Sequence, residues 1–101
     1  MIFLAREAEG ELLGFAQLYP LFSSTRMMRI WLLNDLFVVP AARRRGVAHA
    51  LLKATEDLAR ETGAGELMLS TQVGNRTAQR VYATAGWRRD DEFYTYLRDV
   101  R

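Results

Sequence analysis

An apolar segment that leads into an arginine-rich glycine turn, and then into an amphipathic helix, constrains the fold of this chain most strongly. The apolar run covers 30–39 and is interrupted by the polar pair Asn34–Asp35. Pro40 ends it, because proline cannot continue a central strand. Arg43-Arg44-Arg45-Gly46-Val47-Ala48 follows, and apolar residues then recur at helical spacing over 47–58. This order of strand, turn and helix predicts backbone N–H groups that converge on an anion at a helix N-terminus.

The three arginines of the turn have more than one explanation. Guanidinium groups add charge-assisted hydrogen bonds to a phosphate, and Gly46 and Ala48 leave the backbone open to close approach. Basic runs are also common on solvated surfaces, and some bind nucleic acid. The turn lacks the Gly-Lys-Ser/Thr of a Walker loop and the G-x-G-x-x-G of a dinucleotide fold. We favour anion binding because a predicted strand and a predicted helix flank the turn.

The remaining patterns predict one small mixed domain over 1–101. Half of the 101 residues are hydrophobic, which favours a packed core over disorder. A strand–helix–strand unit predicts a right-handed crossover and parallel pairing of its strands. The expected strands are 2–6, 12–19, 27–39, 66–71 and 93–97, with a loop over 20–25, one helix from Val47 to a stop at Gly63, and a second helix between Asn75 and Gly86.

Composition excludes several kinds of site. The chain has no cysteine and one histidine, His49. Disulfides, thiolate nucleophiles and Cys- or His-rich metal sites are therefore excluded, and we predict no metal. A formal net charge of +2 fits an anionic ligand without indicating nucleic acid. We find no signal peptide and no apolar run of about 20 residues, so we expect a cytoplasmic protein with no nucleic-acid or membrane partner.

Two motifs resemble those of the GCN5-related N-acetyltransferases, the GNAT superfamily. Arg43-x-x-Gly46-x-Ala48 is similar to the family's Gln/Arg-x-x-Gly-x-Gly/Ala signature. The segment 75–87 resembles the family's Asn-x-x-Ala-x-x-x-Tyr-x-x-x-Gly-Phe/Trp motif, and 34–40 resembles the strand that precedes the signature. The resemblance implies an α+β fold, with a mixed, mostly antiparallel sheet, one parallel splayed strand pair and two helices.

The same resemblance implies acetyl-CoA as the acetyl donor and a small-molecule or peptide amine as the acceptor. The family fold normally begins with a strand and two helices that nothing in this chain matches. We therefore expect either a truncated piece of a longer protein or a naturally short member of the family, and in both cases the exposed apolar surface favours a homodimer.

The resemblance also implies which residues hold the coenzyme. The turn would bind the pyrophosphate, and the backbone at the end of the long strand would donate to the pantetheine amide and the oxyanion. Asn75 would bond the pantetheine arm or only cap its helix, and Arg80 would reach a phosphate or lie on a solvated helix face. The predicted cofactor-binding residues are Phe37, Val38, Val39, Arg43, Arg44, Arg45, Gly46, Val47, Ala48, Asn75 and Arg80.

Two residues are predicted to be catalytic. In the family, the tyrosine at the position of Tyr82 lies near the coenzyme sulfur, so Tyr82 would protonate the leaving thiolate; it could instead be only a core residue. A carboxylate in an apolar strand is costly unless it is paired or used. Asp35 would therefore act as a base or orient the amine, or else pair with Arg29 or Arg80, and the strand register could make Asn34 the pocket residue instead.

These inferences predict acetyl transfer to a primary amine by direct attack in a ternary complex. The alternative is a non-catalytic acyl-CoA-binding or protein-interaction module. A nucleic-acid binder is a further rival, but no broad basic face with interleaved aromatic residues supports it.

Overall fold

The computed structural model describes residues 1–24 and 26–101, which form one mixed sheet and two α-helices. The sheet order is β1-β2-β3-β4; β1, β2 and β3 pair antiparallel, and β3 pairs parallel with β4. This arrangement confirms the predicted α+β class. The elements are β1 (Ile2–Arg6), β2 (Leu12–Ser23), β3 (Met28–Val38), α1 (Val47–Glu61), β4 (Glu66–Met68) and α2 (Arg76–Thr84), with a short 3₁₀ turn (Pro40–Ala42) between β3 and α1.

The hydrophobic core lies between α1 and one face of the sheet. Along β2, Gly14, Ala16 and Leu18 are buried at every second position, as the period of a strand requires. The apolar stripe of α1 packs on this face, and Leu52, at 1% exposure, is its most deeply buried leucine. Burying one such side chain contributes about 1.5–3 kcal/mol, so this helix holds the segment before it firmly against the sheet.

A β-bulge interrupts the pairing of the two long strands. Gln17 lies opposite Asp35, whereas the next residue of β2, Leu18, lies opposite Leu33. Asn34 is therefore the extra residue of the bulged strand. The bulge changes which face of the sheet each later β3 side chain occupies, so it decides where Asp35 points.

The parallel pair opens beyond a short stretch of contact. Ile30, Trp31 and Leu32 pair with β4, and the register contains no further partners for β3 on that side. Over 33–38, β2 is the one strand neighbour of β3 among the described residues. The two parallel strands are thus splayed, and an edge of β3 backbone is left open next to α1.

Three predicted elements differ from the structure. The loop predicted over 20–25 is largely strand, because β2 continues through Pro20 to Ser23. Pro20 lies beyond the last β2 residue that pairs with β1, so its missing N–H costs no hydrogen bond to β1. Thr25, which belongs to the predicted loop, lies outside the described residues. The strand predicted over 66–71 ends at Met68. The strand predicted over 93–97 is wrong, because this segment has no strand pairing and its Tyr94 is 93% exposed.

Candidate active site

The arginine-rich turn has the backbone of an anion cradle. Arg44 and Gly46 both lie in the left-handed region, at φ 67° and 79°. Gly46 is the N-cap of α1 and no side chain caps the helix, whose first turn contains no acidic residue. Among the described residues, the N–H groups of 44–48 have no intramolecular acceptor of good geometry. Successive free N–H groups at a helix N-terminus form the concavity and the positive field that attract an anion.

The three arginines of the turn have different environments. The Nε of Arg43 donates to the carbonyl oxygen of Val38 at 3.3 Å, and Nη2 of Arg45 lies 2.7 Å from Oε1 of Glu7. The guanidinium of Arg44 has no hydrogen bond or ion pair within the described chain. Two arginines therefore brace the turn, one on each side, and Arg44 is the one left to meet a ligand. Sequence reasoning missed Glu7, because nothing local connects it to a residue 38 positions away.

The open edge of β3 presents alternate backbone groups. The N–H of Val39 donates to the carbonyl of Leu13 at 2.8 Å, so it faces β2. In an antiparallel pair these directions alternate, and Phe37 consequently faces β2 as well. Leu36 and Val38 face the open side. The prediction that Phe37 and Val39 offer backbone donors is therefore corrected: Val38 does, and so does Leu36, which the sequence analysis did not name.

Asp35 is exposed, which removes the argument that it is a costly buried carboxylate. It lies opposite Gln17, on the face of the sheet away from α1, so no helix among the described residues covers it. Its Oδ2 accepts a hydrogen bond from Nδ2 of Asn34 at 3.1 Å. The alternative pairing with Arg29 or Arg80 is not formed in the described chain. An exposed carboxylate beside the open edge can still accept a proton from an amine.

Tyr82 is half-buried on α2 and packs against the core cluster beneath α1. Its ring centroid lies 6.1 Å from that of Trp87. Burial raises the pKa of the Tyr82 phenol above its ordinary value, because the charged phenolate is poorly solvated there. The phenol is therefore protonated at neutral pH and can donate. Within the described chain its hydroxyl has no hydrogen-bond partner, so its donor is not already committed.

Of the two remaining predicted cofactor-binding residues, Asn75 is the N-cap of α2, and Arg80 lies on this helix together with Tyr82. Oδ1 of Asn75 accepts from the N–H of Ala78 at 3.1 Å, so Asn75 caps α2, which is one of the two roles expected of it. Its amide NH₂ makes no bond in the described chain. Arg80 is exposed and has no ion pair among the described residues.

The structure brings only some predicted residues together. Val38 and Arg43 are in contact at the end of β3, and Val47 and Ala48 begin α1 directly after the turn. Asp35 and Tyr82 lie on opposite faces of the sheet. These two side chains therefore make no direct contact with each other.

A separate groove of about 400 Å³ lies at the other end of the molecule. It is lined by Phe22, Arg29, Trp31 and Thr62 among others. Thr62 follows the C-terminus of α1, whereas the turn precedes its N-terminus, and a helix of 15 residues is about 22 Å long. The groove is therefore distinct from the anion cradle.

Two further properties concern the described residues alone. Within 1–24 and 26–101, no helix has both the length and the apolar character needed to cross a membrane. The same residues hold no group of three or more His, Asp or Glu side chains placed to bind a metal ion.

Comparison with known proteins assigns the family. The sequence profile of the acetyltransferase (GNAT) family matches residues 1–87. An uncharacterised N-acetyltransferase of Bacillus subtilis (strain 168) is 46% identical over 99 residues, which are 98% of this chain and 66% of the relative. The crystal structure of a probable acetyltransferase superposes with a TM-score of 0.90 at 46% identity, covering 99% of this chain and 67% of the other. An aminoglycoside N-acetyltransferase in complex with CoA superposes with a TM-score of 0.81 at 26% identity, covering 97% of this chain and 75% of the other. The chain thus spans about two thirds of the length of these relatives, and it belongs to the acetyltransferase (GNAT) family.

Proposed function

We propose that this chain binds acetyl-CoA and transfers the acetyl group to a primary amine by direct attack in a ternary complex. One observation carries the proposal: a helix N-terminal cradle of free N–H groups adjoins an unpaired strand edge. The cradle suits the pyrophosphate, and the N–H of Val38, which faces the open edge next to the cradle, suits a carbonyl of the pantetheine arm. The solved complex of a family member with CoA supports this choice of ligand.

The proposed chemistry uses the backbone of β3 and the side chains of Tyr82 and Asp35. The amine nitrogen attacks the thioester carbonyl, and the N–H of Leu36, on the same edge and further from the cradle, stabilises the oxyanion that develops. The C–S bond then breaks, and Tyr82 gives its proton to the departing thiolate. Asp35, directly or through water, takes the proton that the amine loses. No covalent enzyme intermediate forms, so the absence of cysteine is compatible with the reaction.

The acceptor, the assembly and the location remain part of the proposal. A family relative is named an aminoglycoside N-acetyltransferase, which supports a small-molecule amine as acceptor. Ile2 and Leu4 on β1 are 57% and 52% exposed, which supports self-association through an apolar surface. The cytoplasmic location and the absence of a nucleic-acid partner stay predictions from the sequence.

The cradle is tested by placing a side chain on its glycine. A Cβ at Gly46 would meet no protein atom within 4 Å, so Gly46→Val affects the fold through its φ of 79° alone. Gly63→Val is the matched control, because Gly63 has φ 73°, equally open space and a position beyond the far end of α1. Both variants should lose about 1–2 kcal/mol of stability.

Binding of acetyl-CoA, measured by calorimetry, separates the two variants. We expect at least tenfold weaker binding for Gly46→Val and unchanged binding for Gly63→Val. Equal affinities in both would place the cradle elsewhere.

Turnover is tested separately by following CoA thiol release with a panel of an aminoglycoside, a polyamine, an amino acid and a peptide amine. Amine-dependent release supports the transferase. Tight coenzyme binding with no release for any amine would support the non-catalytic acyl-CoA-binding alternative.

A further inference from the structure

An ion pair connects the anion cradle to the β1–β2 hairpin. Nη2 of Arg45 lies 2.7 Å from Oε1 of Glu7, and both side chains are partly exposed. Arg45 lies between the two left-handed residues of the turn, Arg44 and Gly46. Arg45 therefore joins the two left-handed residues of the turn, and its side chain is held by Glu7 of the β1–β2 hairpin.

The hairpin end of this contact is itself well fixed. The N–H of Glu7 donates to the carbonyl of Glu11 at 2.9 Å, and the N–H of Gly10 donates to the carbonyl of Glu7 at 2.8 Å. Both hydrogen bonds restrain the backbone from which the Glu7 carboxylate projects. Glu7 can therefore serve as a fixed point for the turn, which has few bonds of its own.

We propose that Glu7 is a positioning residue for the coenzyme: by holding Arg45 it keeps the turn in the shape whose N–H groups receive the pyrophosphate. This inference rests on the proposed function. Left-handed conformations are costly for residues other than glycine, so a turn with Arg44 at positive φ needs contacts elsewhere to hold it. The Arg45–Glu7 pair supplies such a contact on one side, as the Arg43–Val38 bond does on the other.

Whether replacing Glu7 weakens or strengthens coenzyme binding distinguishes a positioning role from simple charge repulsion. Glu7 is an anion near a site for an anion, so on charge alone its removal would strengthen coenzyme binding. If Glu7 positions the turn, its removal weakens binding instead. Exposed ion pairs contribute little, so we expect a two- to fivefold loss of affinity.

The experiment measures the Kd of acetyl-CoA by calorimetry for the full chain and for Glu7→Gln. Glu9→Gln is the matched control, since it makes the same charge change two residues away in the same hairpin, where Glu9 has no ion pair in the described chain. The thermal midpoint of each variant shows that the fold is intact. In steady-state kinetics, Glu7→Gln should raise KM for acetyl-CoA and leave kcat unchanged, because the turn holds the coenzyme and not the reacting atoms.

A double-mutant cycle tests whether Glu7 acts through Arg45. Arg45→Gln should itself weaken binding, and adding Glu7→Gln to it should change nothing further, because the anchored side chain is already gone.

The outcomes separate the inference from the function on which it rests. Weaker binding in Glu7→Gln, unchanged binding in Glu9→Gln and no added loss in the double variant support the proposal. Unchanged or tighter binding in Glu7→Gln, or an equal loss in the Arg45→Gln background, overturns it while the proposed function stands. A wild-type chain that does not bind acetyl-CoA removes the proposed function, and the inference with it.

Discussion

Replacing Tyr82 with phenylalanine isolates the proton that we assign to the leaving thiolate. The ring is half-buried against the core and beside Trp87, so Tyr82→Phe keeps this packing. The hydroxyl has no partner in the described chain, so its removal breaks no intramolecular hydrogen bond. The free energy of unfolding should therefore change by less than about 0.5 kcal/mol, which is below the cost of about 1 kcal/mol for losing an ordinary hydrogen bond.

The expected loss lies in turnover. A single general acid contributes about 10²–10⁴ to the rate, so kcat of Tyr82→Phe should fall by that factor. The Kd of acetyl-CoA should barely change, because the phenol acts mainly in the transition state. Thiol release with a productive amine measures kcat, calorimetry measures Kd, and thermal unfolding measures stability.

The raised pKa of Tyr82 adds a test of stability against pH. The folded-state pKa lies above the unfolded value of about 10, so between these two values the unfolded chain loses the Tyr82 proton first. The free energy of unfolding therefore falls as the pH rises through that interval. Denaturant titrations at pH 8 and near pH 10.5 should show a larger loss for the wild type than for Tyr82→Phe, which has no phenol to ionise.

Two results would refute this reasoning. A Tyr82→Phe variant with wild-type kcat would remove Tyr82 from the mechanism and leave water as the proton source. A variant that loses stability and turnover together would mean that the hydroxyl holds the structure, contrary to its lack of a partner.

Three further predictions concern the stability and the assembly of the protein. A Cβ at Gly14 would overlap the backbone carbonyl oxygen of Phe37, so Gly14→Ala should lower the free energy of unfolding by about 1–3 kcal/mol. Gly65→Ala is the control and should lower it less, because a Cβ there would contact only the flexible side chain of Met28. Equal losses of unfolding free energy in urea titrations of the two variants would contradict this. Asn75→Ala should lower stability by about 0.5–2 kcal/mol through the lost cap, whereas Asn75→Asp should retain it, as thermal unfolding would show. Sedimentation at low micromolar concentration should reveal a dimer, and a clean monomer of ordinary stability would count against the exposed apolar surface as an interface.

The local features of the site could be predicted from the sequence because they depend on neighbouring residues. Apolar periodicity predicted α1 and the long strand, and both are present. A glycine-containing turn was expected directly before α1, and Gly46 precedes that helix with φ 79°. Asn75 was expected to cap α2, and it does. Each of these results follows from short-range geometry that the residue types themselves dictate.

The strand predicted over 93–97 shows where local propensity is insufficient. Its aromatic residues favour a strand, but a strand forms only when a partner edge exists, and β4 ends at Met68. The predicted strand therefore failed because no other segment of the described chain pairs with residues 93–97. The predicted strand over 66–71 was too long because β3 pairs with β4 only as far as Leu32 and Met68.

The sequence by itself determined that a strand, a glycine turn and a helix would follow one another, since amide geometry, glycine's freedom and helix periodicity are local. Only the tertiary structure decided which other groups lie beside this turn and how they are oriented. The pairing of β2 with β3 decided that Val38, and not Val39, faces the open edge, and the bulge at Asn34 exposed Asp35. The contact of Glu7 with Arg45 joins residues that are 38 positions apart. Strand register and such long-range contacts depend on how the whole sheet packs, so no local pattern contains them.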